Sequence, residues 1–221
     1  MTTRQAVLTR LIESIVGISR DHPVRVAVDG PDTAGKTTLA DELAAALSGI
    51  RPAIRVSVDD YIRPAEQRPQ SPGVPAAGYF DDNFDLAALI AGYLTPFGPG
   101  GDRTYLAADG TTGSAPYDAV LLVDGVFLLQ AGLRPYWDIG ICLHIGEDEM
   151  LRRGLLRDRD RYGGEDATRG VFETQFVPGW RAYQAQHDPA AAATIVIDHD
   201  DPSHPAIRPG SASDGNVGRQ R

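Results

Sequence analysis

Apolar residues follow two rhythms along the chain. Short runs dominated by apolar residues occur at Val24–Val28, Ile54–Val58, Ala119–Val123, Asp138–Ile145 and Thr194–Ile197, the fourth interrupted only lightly by Gly140. Runs of this kind read as strands, and the continuous ones as strands buried on both faces. Elsewhere the apolar positions Val7, Leu11, Ile12, Ile15 and Val16 keep helical spacing and predict an amphipathic helix over Arg4–Ile18. Helices are also predicted at Leu39–Leu47, Leu86–Leu94 and Glu147–Arg161, and as a pair over Thr168–Ala192, separated near Pro178-Gly179. Thr104–Ala107 with Thr111-Thr112 suits a short hairpin, and the Pro-, Gln-, Ser- and Gly-rich stretch Pro64–Gly78 reads as a loop. Strands alternating with helices predict one α/β domain, a parallel five-stranded sheet flanked by helices, over residues 1–200. Residues 201–221 are Pro-, Ser-, Gly- and Asp-rich and are expected to form a mostly disordered tail.

Charge narrows the classes of partner. The net charge of −9 argues against a nucleic-acid surface, which needs clustered positive charge. No 18-residue apolar segment or signal peptide appears, so no membrane partner and a cytoplasmic location are expected. Cys142 is the single cysteine, sits in an apolar run and is expected to fill core. Homo-oligomerisation is left open.

One stretch carries specific chemistry. Gly30-Pro31-Asp32-Thr33-Ala34-Gly35-Lys36-Thr37, followed by Thr38, fits G-x-x-x-x-G-K-[ST] between a predicted strand and a predicted helix. Gly30 and Gly35 allow a tight turn that aims N–H groups at phosphate, and the helix that follows adds its positive dipole end. The backbone from Gly30 through Asp32, Thr33 and Ala34 to Thr38 is therefore the expected ATP site. Lys36 is placed to reach the β- and γ-phosphates and the Thr37 hydroxyl to ligate Mg²⁺. Of the 21 basic residues all but Lys36 are arginine, so the one ammonium group stands where a point charge suits phosphate.

Acids follow at strand ends, where open α/β sheets hold ligands. Asp59 is the candidate to position an acceptor hydroxyl and take its proton, with Asp60 second. Asp124 ends the run Val120–Val123 and is a Walker-B-type candidate for Mg²⁺ or for acceptor orientation. In Tyr79–Asp85, Asp81 could bind sugar hydroxyls, or Asp82 or Asn83 could only cap a helix. Tyr105 could face substrate. Arg152, Arg153, Arg157, Arg159 and Arg161 crowd one segment, and a lid spanning about residues 152–168 would bring Arg153 and Arg157 to the transferring phosphoryl group.

The ordered set of P-loop, Val58-Asp59-Asp60-Tyr61, Phe80-Asp81, Val123-Asp124-Gly125-Val126-Phe127 and Arg152-Arg153 with Arg157-Asp158 resembles the uridine kinase family, within the group that includes phosphoribulokinase and pantothenate kinase. The resemblance covers roughly Val24–Asp198. It implies a P-loop NTPase fold with an Arg-rich lid, ATP and Mg²⁺ as cofactors, and γ-phosphoryl transfer to a small-molecule hydroxyl, with uridine or cytidine as the leading acceptor. It further implies Asp59 as catalytic acid, Tyr61 in the same acceptor-binding motif, Asp81 on ribose hydroxyls, Tyr105 near the nucleoside pocket, and Arg153 and Arg157 as phosphate-touching lid arginines. Several positions depart from the family. The Phe80–Phe84 segment is short, Asp124 replaces the usual Glu, Ile62 stands where a tyrosine is frequent, no histidine follows Tyr105, and the Arg153–Asp158 spacing is one residue long. Pantothenate-like, riboside, sugar or nucleoside monophosphate acceptors remain alternatives, as does a non-catalytic nucleotide-binding regulatory protein.

Overall fold

A computed structural model describes residues 3–68 and 83–209. The expected strands form, and their arrangement explains their composition. Strands β1 (Val24–Asp29) and β2 (Ala53–Ser57) are followed by the separate hairpin β3 (Thr104–Leu106) and β4 (Thr112–Ser114), and then by β5 (Val120–Asp124), β6 (Ile139–His144), β7 (Ile195–Asp198) and β8 (Ala206–Ile207). The main sheet runs β2-β5-β1-β6-β7-β8. The first five strands in that order are parallel and β8 adds to β7 antiparallel.

Burial on both faces accounts for the continuous apolar runs. Val24, Val26 and Val28 join Val120 and Leu122 in one core, against Leu11 and Ile15 of helix α1 (Thr3–Val16) and Leu39, Leu43 and Leu47 of helix α2 (Lys36–Leu47). Ala27, Leu121 and Val123 face the opposite core, with Tyr61, Phe84, Leu89, Tyr93, Phe97, Trp180 and Tyr183. Leu89 belongs to α3 (Leu86–Leu89), which Asp85 caps through the Ala88 N–H and which continues into a π-helical turn at Ile90–Leu94. The cap is thus Asp85, not the expected Asp82 or Asn83.

Two expectations about helices and one about the tail require correction. The arginine-dense segment divides at Asp158 into α4 (Glu147–Arg157) and α5 (Arg159–Tyr162). Pro178-Gly179 does not mark a boundary between helices. After α6 (Glu165–Val171), a π-helical turn at Phe172–Phe176 leads into α7 (Val177–His187), whose first turn takes Pro178, where a missing N–H costs nothing. The chain breaks instead at Asp188, which caps the short α8 (Pro189–Ala192). Residues 201–209 are not a loose tail. There β8 pairs with β7, and Arg208 bonds Asp198 at 3.1 Å, so the sheet has six strands, not five. Among the described residues no helix is long and apolar enough to cross a membrane.

Candidate active site

Register brings the key residues to one end of the sheet. Because β5 lies between β1 and β2, Asp124 is level with Val28 on one side and Ser57 on the other. The loop after β1, the turn after β2 and the end of β5 therefore converge beyond the strands' carboxyl ends.

The loop after β1 has the backbone that its glycines allow. Gly35 enters α2 at φ 90°, a left-handed conformation costly for a side chain, and a Cβ on Gly30 (φ 154°) would sit 2.8 Å from the Leu143 carbonyl oxygen. Thr33 also adopts positive φ, and its hydroxyl donates to the carbonyl of Asp32 at 2.6 Å and to that of Met150 on α4 at 3.0 Å. Lys36 Nζ donates to the Pro31 carbonyl at 2.7 Å, folded over its own loop. Thr38 lies exposed on the first turn of α2.

Thr37 and Asp124 meet directly. The Thr37 hydroxyl donates to Asp124 Oδ2 at 2.8 Å, and Arg55 of β2 donates to Asp124 Oδ1 at 2.8 Å. Asp124 is almost wholly buried, which raises its carboxyl above the usual range, while Thr37, Arg55 and Lys36 pull it back. Asp59 stands exposed on the 3₁₀ turn Val58–Tyr61, whose start Ser57 caps by accepting the Asp59 N–H at 3.3 Å. Its charge reaches both Asp124 and Asp32. Burial raises the Asp32 carboxyl, opposed by Lys36 and Arg157. Lys36, Thr37, Asp124, Asp59 and Asp32 thus form one constellation, with Arg157 at its margin.

A hydroxyl and a carboxylate held 2.8 Å apart at a helix N-terminus form a donor set that suits Mg²⁺ beside phosphate, and the glycine-formed loop suits the phosphates themselves. Arg157 is half-exposed and forms a bidentate pair with Asp158 at 2.7 and 2.9 Å. Arg153 departs from the expected lid role. Its guanidinium donates to Glu149 at 2.6 Å and to the backbone carbonyls of Thr33 (3.2 Å), His199 (2.7 Å) and Asp200 (2.9 Å), so it braces the loop from outside. Arg152 pairs with the same Glu149, and the two arginines hold that carboxyl at about 2.

Tyr105 does not present both faces to a ligand. One face stacks on Tyr93, with centroids 5.2 Å apart and planes 11° apart, and Phe97 meets its edge. Tyr61, at the end of the Val58–Tyr61 turn, lies in the core with this aromatic group. Asp81, with Tyr79, Phe80 and Asp82, lies outside the described residues.

Three comparisons bear on identity. No family model matches the chain. Over 147 residues, 62% of this chain, it is 28% identical to uridine-cytidine kinase B of Dictyostelium discoideum, and the match spans 59% of that relative. Its fold is that of a possible uridine kinase from Bacillus stearothermophilus, with a TM-score of 0.64 at 18% identity over 88% of this chain and 98% of the other. In sequence and in fold the chain thus resembles uridine kinase-like P-loop proteins. The same fold is shared with D-glycerate 3-kinase from Cryptococcus neoformans, with a TM-score of 0.60 at 13% identity over 93% of this chain and 99% of that one.

The environment of the site includes residues that the sequence alone does not single out. Asp29 and Asp124 both end a strand in Val-Asp-Gly, yet they have opposite fates. Asp29 is fully buried and accepts from the N–H groups of Gly30 (2.7 Å) and Leu129 (3.0 Å) and from the Tyr183 hydroxyl (2.6 Å). His199 packs against Gly35 and bonds the Ala34 carbonyl through Nδ1 at 2.7 Å. Arg55 reads in the sequence only as one polar residue in a strand. Its signal is a charged residue inside an apolar run, which a buried acid across the sheet explains.

Proposed function

We propose that the protein is an ATP- and Mg²⁺-dependent kinase that transfers the γ-phosphoryl group to a hydroxyl of a small molecule, with uridine or cytidine the leading acceptor. The observation that carries the proposal is an exposed Asp59 standing beside an Asp124–Thr37 pair at the mouth of a phosphate-binding loop. A protein that only bound nucleotide would have no use for this second, open carboxylate.

Each residue has a task in this reading. With the Gly30 N–H committed to Asp29, N–H groups of the loop from Asp32 to Thr38 hold phosphate oxygens, and Lys36 exchanges the Pro31 carbonyl for them. Thr37 and Asp124 hold Mg²⁺, which when bound neutralises charge on the phosphates. Arg55 keeps Asp124 oriented. Asp59 orients the acceptor hydroxyl and takes its proton, a contribution of roughly 10²–10⁴ in rate for positioned acid–base groups. Arg157 swings from Asp158 towards the charge that develops on the phosphoryl group, and Arg153 keeps Thr33 and the loop in place.

The fold is shared with kinases whose names indicate acceptors as different as uridine and D-glycerate, so the acceptor follows from assay. Release of ADP is to be measured with Mg·ATP alone and with uridine, cytidine, other ribosides, pantothenate, fructose and D-glycerate, comparing wild type with Asp59→Asn. Acceptor-dependent turnover that falls at least about a hundredfold in Asp59→Asn, with ATP binding retained, is expected. Nucleotide binding without transfer to any compound would overturn the kinase assignment.

A further inference from the structure

Within the constellation at the loop, the side chain of Asp32 is left without a task by the kinase reading. Its place is a costly one for an acid. The loop gathers N–H groups towards an anion, and a carboxylate among them repels that anion. A shift of the loop does not carry it away, because the backbone on either side is held. The Pro31 carbonyl accepts from Lys36 Nζ at 2.7 Å and from the Ala34 N–H at 3.2 Å, and the Asp32 carbonyl accepts from the Thr33 hydroxyl at 2.6 Å. Thr33 is tied in turn to the Met150 carbonyl.

The groups that face this carboxylate come from separate elements. Lys36 begins α2, Asp59 stands on the Val58–Tyr61 turn, Arg157 and Asp158 lie where α4 ends, and Tyr162 closes α5. Their charges reach Asp32, but among the described residues none of them gives its carboxylate a hydrogen bond or an ion pair. Asp59 is the proposed partner of the acceptor hydroxyl and Arg157 that of the transferring phosphoryl group. Asp32, in reach of both, therefore stands at the end of the loop where the γ-phosphate belongs.

Burial favours the uncharged form of this carboxyl, and in the empty site Lys36 and Arg157 oppose it. A bound triphosphate removes that opposition. Both cations turn to phosphate oxygens in the kinase reading, and the phosphate adds negative charge of its own beside the acid.

We propose that Asp32 takes up a proton from solvent as Mg·ATP binds, and that the neutral carboxyl so formed donates a hydrogen bond to a γ-phosphate oxygen. The loop then gains a donor at a point where an ionised acid would repel the ligand. Nucleotide affinity is thereby linked to pH. The inference rests on the kinase reading and adds to it a side chain that touches the γ-phosphate.

Calorimetric titration with Mg·ATP in buffers of different ionisation enthalpy counts the protons taken up, with no turnover required. Wild type is expected to take up at least about half a proton per ATP near pH 7, and clearly less with Mg·ADP, which lacks the γ-phosphate. Its dissociation constant for ATP should fall as pH is lowered from about 8 to about 6, by at most about tenfold per unit. Asp32→Asn, which resembles the neutral carboxyl, should bind ATP about tenfold more tightly than wild type near pH 8 and within about threefold of it near pH 6, without uptake. Asp59→Asn should keep the uptake. The proton count on wild type and the comparison with ADP hold whether or not a variant folds. Wild type without uptake, or with equal uptake for ADP, overturns the inference. Uptake that survives Asp32→Asn, and so belongs to Asp59 or Asp158, overturns it too, as does weaker binding of ATP by Asp32→Asn at every pH. Each of these results leaves the kinase reading standing. A wild type that does not bind ATP sinks the kinase reading itself, and this inference with it.

Discussion

Tyr183→Phe tests whether the buried acid behind the phosphate loop is a structural node. Tyr183 is fully buried, and its hydroxyl donates to Asp29 Oδ2 at 2.6 Å while accepting the Leu129 N–H at 2.9 Å. Removing it deletes a bond to a carboxylate, a class worth about 1.5–3 kcal/mol. The Leu129 N–H is not orphaned, since it also reaches Asp29 Oδ2 at 3.0 Å, so no second penalty is added. The expected loss is about 2 kcal/mol, or roughly 4–8 °C in melting temperature for a chain of this size. The pH dependence has a definite sign. Burial raises the Asp29 carboxyl, whereas the Tyr183 bond lowers it by favouring the charged form. The component of the bond that depends on charge is therefore present above the folded-state value of Asp29 and is lost as pH falls through it. Thermal denaturation of both proteins, from neutral pH downward, should show a gap that narrows in acid. A gap that is absent at neutral pH, or that widens in acid, would refute the argument.

Other perturbations address the site more directly. Gly125→Ala would place a Cβ 1.9 Å from Val58 Cγ1, and overpacking of this kind costs about 1–3 kcal/mol. Since Gly125 follows Asp124 and Val58 precedes Asp59, turnover should fall together with melting temperature; an unchanged variant would mean that the two strand ends are not in contact. Cys142 is 2% exposed and its thiol is pushed well above the ordinary range by burial, so it should resist a thiol reagent until the chain unfolds. Labelling of the native protein as fast as of the denatured one would contradict that burial. Asp59→Asn should leave melting temperature within about 1 °C of wild type, because an exposed carboxylate carries little stability, while phosphoryl transfer collapses. A large loss of stability would make it structural instead.

What the sequence made legible follows from what leaves a periodic trace. Strands β1, β5, β6 and β7 were readable because burial on both faces demands nearly unbroken apolar runs, the edge strand β2 through its alternation of apolar and polar residues over Ile54–Val58, and the P-loop because its turn demands glycines at fixed spacing. Strand β8 left no such trace. It is two residues long in a Pro- and Ser-rich stretch and is held by backbone pairing to β7 and by Arg208. The π-helical turns at Ile90–Leu94 and Phe172–Phe176 escape for a related reason, since one extra residue in a turn hardly alters an apolar pattern. Arginines are the hardest case, because a charge run does not say which partner each one meets. Arg153 and Arg157 are four apart on one helix, yet one is committed to backbone carbonyls behind the loop and the other only to a neighbouring carboxylate.

That difference bears on how the loop works. On its inner side, Asp29 fixes the Gly30 N–H and is itself held by Tyr183. On its outer side Arg153 holds the Thr33 carbonyl, the Met150 carbonyl accepts the Thr33 hydroxyl, and His199 holds the Ala34 carbonyl. Because a carbonyl can only accept, His199 Nδ1 must carry the proton. Nε2 is then left to face Arg4 as an acceptor at 3.4 Å. Burial and the nearby guanidiniums lower this imidazole's proton affinity, which keeps it in that neutral form. Every one of these contacts is made between groups of the chain itself, so the loop does not have to be organised by the phosphates it is proposed to receive. Lys36 is likewise held within the chain, its ammonium on the Pro31 carbonyl, but by a bond that a phosphate oxygen can replace at little cost. Preorganised donors of this kind spend their interaction energy on the charge of the ligand and not on ordering themselves, which is the condition under which electrostatic stabilisation of phosphoryl transfer is strongest.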